Sequence, residues 1–366
     1  MAGLLDATTI GTMTLRNRLV RSATAEMLAD ADGRPTPALV EMIATLAEGG
    51  VGLIVTGHLY VEPGGKGHPG MTGAHRDDLV PDLARLAEAA HAGGARIAAQ
   101  INHAGLQTRS DDVVDPIAPS AFEADGAKRG AREMTVDEIE RIVDAYGQAA
   151  RRVEEAGFDA VQIHGAHGYL VGQFLSPLTN QRTDAWGGSV ERRMRFLREV
   201  AASIRAEVGP DFPVLIKLGM RDEAADGLTL DDGVEIVSCL ESFGIDAVEV
   251  SGGRAASAQF NIRGGIKPGE NEAPFRDWAR RARAVTDLPI LLVGGLRSRA
   301  VMDDVLESGD AQLISMCRPL ICEPDLPNRL AAGQSAASCV SGNRCYPRKG
   351  ERGISCKCRG VDRPDV

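Results

Sequence analysis

The chain has 366 residues, 43% of them apolar and 25% charged, enough hydrophobic material for the full-sized core of a globular enzyme. A net charge of −10 argues against nucleic acid or an anionic membrane as partner, and no apolar run reaches the length that crosses a bilayer. Residues 1–6 lack a basic stretch followed by a long apolar one, so no secretory leader is expected, and seven cysteines in so long a chain read as reduced thiols of a cytoplasmic protein rather than a disulfide framework.

Short apolar runs alternate with long amphipathic stretches. The runs predict eight strands: Arg18–Ala23, Gly52–Thr56, Arg96–Ile101, Ala160–Ile163, Val214–Leu218, Ala247–Val250, Ile290–Val293 and Leu313–Met316. Several follow a glycine that ends a helix (Gly49-Gly50, Gly93-Gly94, Gly157, Gly244 and Gly309), the sequence signature of an αβ loop. Between the strands, Thr135-Val-Asp-Glu138 has the form of a capping box. It is followed by Ile139, Ile142, Val143, Tyr146, Ala149, Ala150 and Val153 on one helical face. Thr229 opens another helix, with Val234, Val237 and Leu240 as its stripe. Eight near-continuous apolar strands separated by helices predict an α/β fold, a closed (β/α)8 TIM barrel. The barrel is expected to occupy residues 1–334, and residues 335–366 a short cysteine-containing tail that is not a domain of its own. Two segments break the rhythm: the loop Leu106–Glu133, placed to shape or cover a site, and that tail.

The chemistry concentrates where strands end. His164-Gly165-Ala166-His167-Gly168-Tyr169 follows the fourth strand, at the end of a barrel where active sites are built. Two imidazoles three residues apart can converge on an oxygen that gains negative charge, and donors of this kind contribute about 3–4 kcal/mol each. A metal reading lacks a nearby third ligand, and two structural loop histidines are the plainer alternative. Tyr169 keeps its proton at neutral pH and can deliver it to a developing carbanion, unless it is simply a core tyrosine. Gln100, at the end of the third strand, offers an amide to a ring that carries both donors and acceptors. His103 reads as structural. Lys217 lies inside an otherwise buried strand, which implies an anionic partner, either a ligand or an internal carboxylate such as Glu249 or Asp222. Gly294-Gly295 and Cys317-Arg318 follow the last two strands, where barrels commonly hold phosphate. Ser251-Gly252-Gly253 is a further candidate for lining the site, and no dinucleotide fingerprint follows any strand.

With Gln100-x-x-His-Ala-Gly105, His164–Tyr169, Gln173-Phe-Leu-Ser-Pro-Leu-Thr-Asn180, Gly294-Gly295 and Arg318-Pro-Leu-Ile in this order, the chain from about Leu15 to Leu330 resembles the old yellow enzyme family. The resemblance implies non-covalent FMN at the barrel mouth, NAD(P)H as reductant, and hydride transfer from the flavin N5 to electron-poor alkenes (enones, enals, maleimides or nitroalkenes). It places Ala23, Thr24, Ala25, Gln100, Lys217, Gly294, Gly295, Cys317 and Arg318 against the flavin. His164 and His167 would lie on the acceptor's oxygen and Tyr169 would be the proton donor. Analogy also implies a homo-oligomer, while the acidic net charge leaves no nucleic acid or membrane partner expected.

Three departures stand out. Ala25 replaces the Thr or Cys that usually meets the flavin O4, which is expected to alter the flavin potential; Arg21 and Glu26 add charges nearby, to pair with each other or to meet substrate; and Leu106 replaces a basic residue. In the tail, Cys339, Cys345, Cys356 and Cys358 resemble a degenerate copy of the [4Fe–4S] motif of longer relatives, with Gly342 at one ligand position. An eroded remnant is the first reading, a zinc site the second and a remodelled cluster the third. Two other functions stay open: a flavin dehydrogenase or oxidative demethylase, and a partner-fed electron-transfer subunit that uses these cysteines.

Overall fold

The computed structural model describes residues 3–123, 129–254, 258–348 and 350–358. All eight expected strands are present: β1 (Leu19–Arg21), β2 (Leu53–Val55), β3 (Arg96–Asn102), β4 (Ala160–Gly165), β5 (Val214–Gly219), β6 (Ala247–Ser251), β7 (Ile290–Val293) and β8 (Leu313–Met316). Each pairs in parallel with the next, and β8 pairs with β1, so the sheet closes as a (β/α)8 barrel. The main helices between them are α1 (Pro37–Glu48), α2 (Val80–Ala92), α3 (Val136–Glu155), α4 (Arg195–Val208), α5 (Leu230–Cys239), α6 (Arg276–Arg283) and α7 (Arg299–Glu307). The glycines expected to end helices do so in the left-handed region: Gly50, Gly94, Gly157, Gly244 and Gly309 have φ of 98°, 77°, 81°, 82° and 74°.

The predicted capping box forms at α3, Thr135 with Glu138, and Thr229 caps α5 as expected, in a second capping box with Asp232. The α3 stripe is buried except at Val143, which flanks it. In α5 the predicted Val237 is buried, as is Leu240 just past its end, and Val234 is half-buried against the core; Gly233 and Ile236 widen the buried face.

Side chains alternate across each strand. The outward set, including Ile54, Ile97, Val161, Ile216, Val248, Leu292 and Ile314, packs against the helices. The inward set begins as an apolar plug of Val20, Leu53, Val55, Ala98, Ala160, Leu215, Ala247, Leu291 and Leu313, to which all eight strands contribute. A hairpin of Thr8–Ile10 and Met13–Leu15, not foreseen from the sequence, seals this end with Ile10, Met13 and Leu15. Its strands of three residues each are too short to carry a period-two signal. The tail lies along the barrel: the Ala337 N–H donates to the Arg297 carbonyl at 2.9 Å, and the Ile354 N–H donates to the Glu26 carbonyl at 3.1 Å.

Burial in the plug fixes the barrel's shape. Leu291→Ala is expected to cost about 2–5 kcal/mol, measured as a lower denaturant midpoint with an unchanged slope.

Candidate active site

One layer above the plug, the inward positions turn polar. Ser22, Gln100, Gln162, Lys217, Glu249 and Ser315 are all buried there, each two residues beyond an apolar plug residue on its strand. They form one connected network. Gln100 Nε2 donates to Gln162 Oε1 at 2.7 Å, and Gln162 Nε2 donates to Glu249 Oε2 at 3.0 Å. Ser315 donates to Glu249 Oε1 at 2.6 Å. Lys217 Nζ donates to Ser22 Oγ at 2.8 Å and pairs with Glu249 Oε2 at 3.3 Å. The sequence left open whether Lys217 answers a ligand or an internal carboxylate. The carboxylate is present, and it is Glu249, its register partner across β5 and β6.

Above this layer stand the imidazoles and the phenol. The His164 ring lies 5.2 Å from His167 and 4.7 Å from Tyr169, centre to centre. The Ala166 N–H donates to His164 Nδ1 at 3.4 Å, and His167 Nε2 meets Ser251 Oγ at 2.9 Å. Those contacts leave His164 Nε2 and His167 Nδ1 without a protein partner among the described residues. His167 holds a left-handed backbone, φ 58°, which turns its ring back beside His164.

Two histidines that sequence reasoning missed join them. The His58 ring lies 4.9 Å from Tyr169, 5.9 Å from His164 and 5.3 Å from His68. His58 Nδ1 is held by the Asn102 amide at 2.8 Å. Burial, then the neighbouring imidazoles, then Lys217 hold His164 well below the usual histidine range. His167 is brought down to about 3 by burial and then Lys217. Burial pushes the Tyr169 hydroxyl up to about 12. At neutral pH the site therefore presents uncharged imidazoles and a protonated phenol.

The run from Gln173 to Asn180 is a brace for these loops. Gln173 Nε2 donates to the carbonyls of Ala104 at 3.1 Å and Gly168 at 2.7 Å, tying the loop after β3 to the loop after β4. Ser176 donates to Asp222 at 2.5 Å, and Asp222 in turn accepts from the Arg254 N–H at 2.6 Å. Asn180 donates to the carbonyls of Phe174 and Trp186, each at 2.8 Å. His103 is structural: it is buried and contacts Glu62 at 3.1 Å. Leu106 is buried with Ala118 and Ala131 beneath the long loop, an apolar role that explains the missing basic residue.

The remaining predicted residues ring the mouth. Ala23, Thr24 and Ala25 are half-buried after β1, and Thr24 Oγ1 meets Cys317 Sγ at 2.7 Å, which links the loops after β1 and β8. Gly294 and Gly295 have φ of 107° and 66°, and a Cβ at 295 would stand 2.9 Å from Pro274 Cδ, so glycine is required there. Arg318 is engaged by the tail through the Asn343 amide oxygen. Arg21 and Glu26 pair with each other at 3.0 Å, buried and facing away from the barrel axis, so neither is free for a substrate. No disulfide joins any of the seven cysteines. A Cβ at Gly342 would stand 3.1 Å from Cys358 Sγ. Among the described residues no group of His, Cys, Asp or Glu side chains gathers closely enough to hold a metal ion.

FMN suits this mouth on the donor set. An ammonium has three N–H groups, of which Ser22 and Glu249 take two. Gln100 Oε1 takes no bond among the described residues, and the Gly294-Gly295 backbone admits a close neighbour without a side chain in the way.

Barrel and site together define a flavin-dependent oxidoreductase of the TIM-barrel type. Residues 4–336 match the NADH:flavin oxidoreductase / NADH oxidase family, and the chain belongs to it. It is 35% identical to the NADH oxidase of Thermoanaerobacter brockii over 91% of this chain and 52% of that protein. It is 34% identical to the NADPH dehydrogenase of a Geobacillus species over 94% of this chain and 98% of that protein. The old yellow enzyme homologue from Zymomonas mobilis superposes with a TM-score of 0.78 at 27% identity, over 92% of this chain and 94% of that one. The chain thus spans about half the length of the Thermoanaerobacter relative and nearly all of the Geobacillus one. Membership brings FMN as cofactor. Among the described residues no helix is long and apolar enough to cross a membrane.

The buried histidines also set the acid limit of the fold. His58, His164 and His103 are held low by burial as His167 is, with His103 at about 3. Below the ordinary histidine value of about 6.5 the unfolded chain therefore binds more protons than the native one, and stability falls as pH falls. The denaturant midpoint is expected to drop between pH 7 and pH 5; a midpoint that holds constant or rises would contradict neutral, buried imidazoles.

Proposed function

We propose that the chain reduces activated C=C bonds of small molecules (enones, enals, maleimides or nitroalkenes) with electrons from NAD(P)H. The observation that carries this reading is the gathering of two neutral imidazoles and one protonated phenol directly above the Lys217–Gln100 layer. Bound FMN supplies hydride transfer at N5, and the residues proposed to hold it are Ala23, Thr24, Ala25, Gln100, Lys217, Gly294, Gly295, Cys317 and Arg318. His164, through Nε2, and His167, through Nδ1, hold the acceptor's carbonyl or nitro oxygen and stabilise the charge that develops on it. Tyr169 gives its proton to the carbon next to the polarised group and regains one from water. A hydroxyl lifted to about 12 supports that role, because it stays protonated across the working range. That none of the seven cysteines is joined in a disulfide supports a reducing, cytoplasmic setting.

Tyr169→Phe is expected to slow oxidation of the reduced flavin by an enone roughly 10²–10⁴-fold, the range of general-acid contributions, and to leave flavin reduction by NAD(P)H nearly unchanged. Stopped-flow absorbance separates the two half-reactions. Equal slowing of both would remove Tyr169 as proton donor. Preferential oxidation of an amine or alcohol over reduction of any enone would favour the dehydrogenase reading.

His164→Ala combined with His167→Ala is expected to weaken binding of a phenol to the oxidised holoenzyme while flavin is retained. Unchanged phenol affinity would take the oxygen-holding role away from the pair.

A further inference from the structure

Glu249 is the one charged member of the polar layer that the reading above does not use. It is fully buried in the middle of β6, a costly place for a carboxylate unless donors surround it. Three do: Gln162 Nε2 at 3.0 Å, Ser315 Oγ at 2.6 Å and Lys217 Nζ at 3.3 Å. A carboxylate here can only accept, so it imposes a direction on the network. The Gln162 NH2 must face Glu249, which turns the Gln162 amide oxygen toward Gln100. The Gln100 NH2 then faces Gln162, and its amide oxygen is left for the mouth of the barrel. An acceptor at that point suits the imide N–H of a flavin pyrimidine. The same carboxylate sets a negative charge beside the ammonium of Lys217. Ser22, on the far side of that ammonium, is neutral and contributes no compensating charge.

We propose that Glu249 is a positioning residue of the flavin site. It fixes which end of the Gln100 amide is presented, and it offsets the Lys217 charge so that bound flavin is harder to reduce than Lys217 alone would make it. The proposal rests on the FMN reading.

The test is the midpoint potential of the FMN holoenzyme, measured anaerobically against a reference dye for the wild type, Glu249→Gln and Glu249→Asp. Glutamine removes the charge and, having both donor and acceptor, also removes the imposed direction. Its potential is expected to rise by at least a tenfold change in the oxidised-to-reduced ratio, about 30 mV for a two-electron couple. Aspartate keeps an acceptor-only anion, and its ratio is expected to stay within roughly threefold of wild type, an electrostatic difference well under one pK unit. A residue that merely supports the fold would lower flavin retention in Glu249→Gln without moving the potential of the flavin that remains.

An unchanged potential in flavin-loaded Glu249→Gln overturns the proposal, as does an equal rise in Glu249→Asp. If Glu249→Gln does not fold, Ser315→Ala takes its place: it strips one neutral donor from the carboxylate and leaves the charge, so the potential is expected to fall, and no change counts against Glu249 equally. Wild-type protein that binds no FMN would instead overturn the cofactor assignment, and the proposal with it.

Discussion

The barrel interior changes from apolar to polar within a single layer, and the rest of the molecule follows from that change. Below it, residues such as Leu215, Leu291 and Leu313 fill the axis and hold the eight strands in register. Above it, the same inward positions carry Gln100, Gln162, Lys217, Glu249, Ser22 and Ser315. Because polar groups buried this deep are tolerated only when bonded to one another, the layer must be ordered as a unit. It is therefore a rigid floor, and the floor fixes where a planar cofactor and its substrate can lie.

The upper site depends on that floor and on the loop braces. Lys217 sends positive charge upward and helps to keep His164 and His167 unprotonated, which suits them to hold an oxygen by hydrogen bonding instead of by full charge. Gln173 and the Ser176–Asp222 pair anchor the loops after β3, β4 and β6 to one another. The imidazole–phenol cluster thus stands on backbone that is itself hydrogen-bonded, although the segment carrying it includes the left-handed His167.

Much of this was legible in the sequence, for identifiable reasons. Parallel strands buried on both faces are continuous apolar runs, so all eight could be placed to within a few residues. Lys217 stands out because a lysine inside such a run needs a counter-charge, and Glu249 is one of the two internal carboxylates named for it from the sequence. His58, Asn102 and Gln162 were not legible. Their identities are unremarkable in a loop or at a strand end, and only closure of the barrel brings β2, β3 and β4 side by side. The hairpin under the barrel is not legible because its strands are three residues long. Ala25 is visible in the sequence as a departure, but its effect on a potential depends on charges several strands away.

The most direct measurement is the visible absorption spectrum of the purified protein, kept anaerobic, through addition of NAD(P)H and then cyclohexenone. The account predicts a flavin spectrum that bleaches with the nicotinamide and returns with the enone. A protein without flavin absorbance, or a bleached flavin that no activated alkene restores, would contradict it.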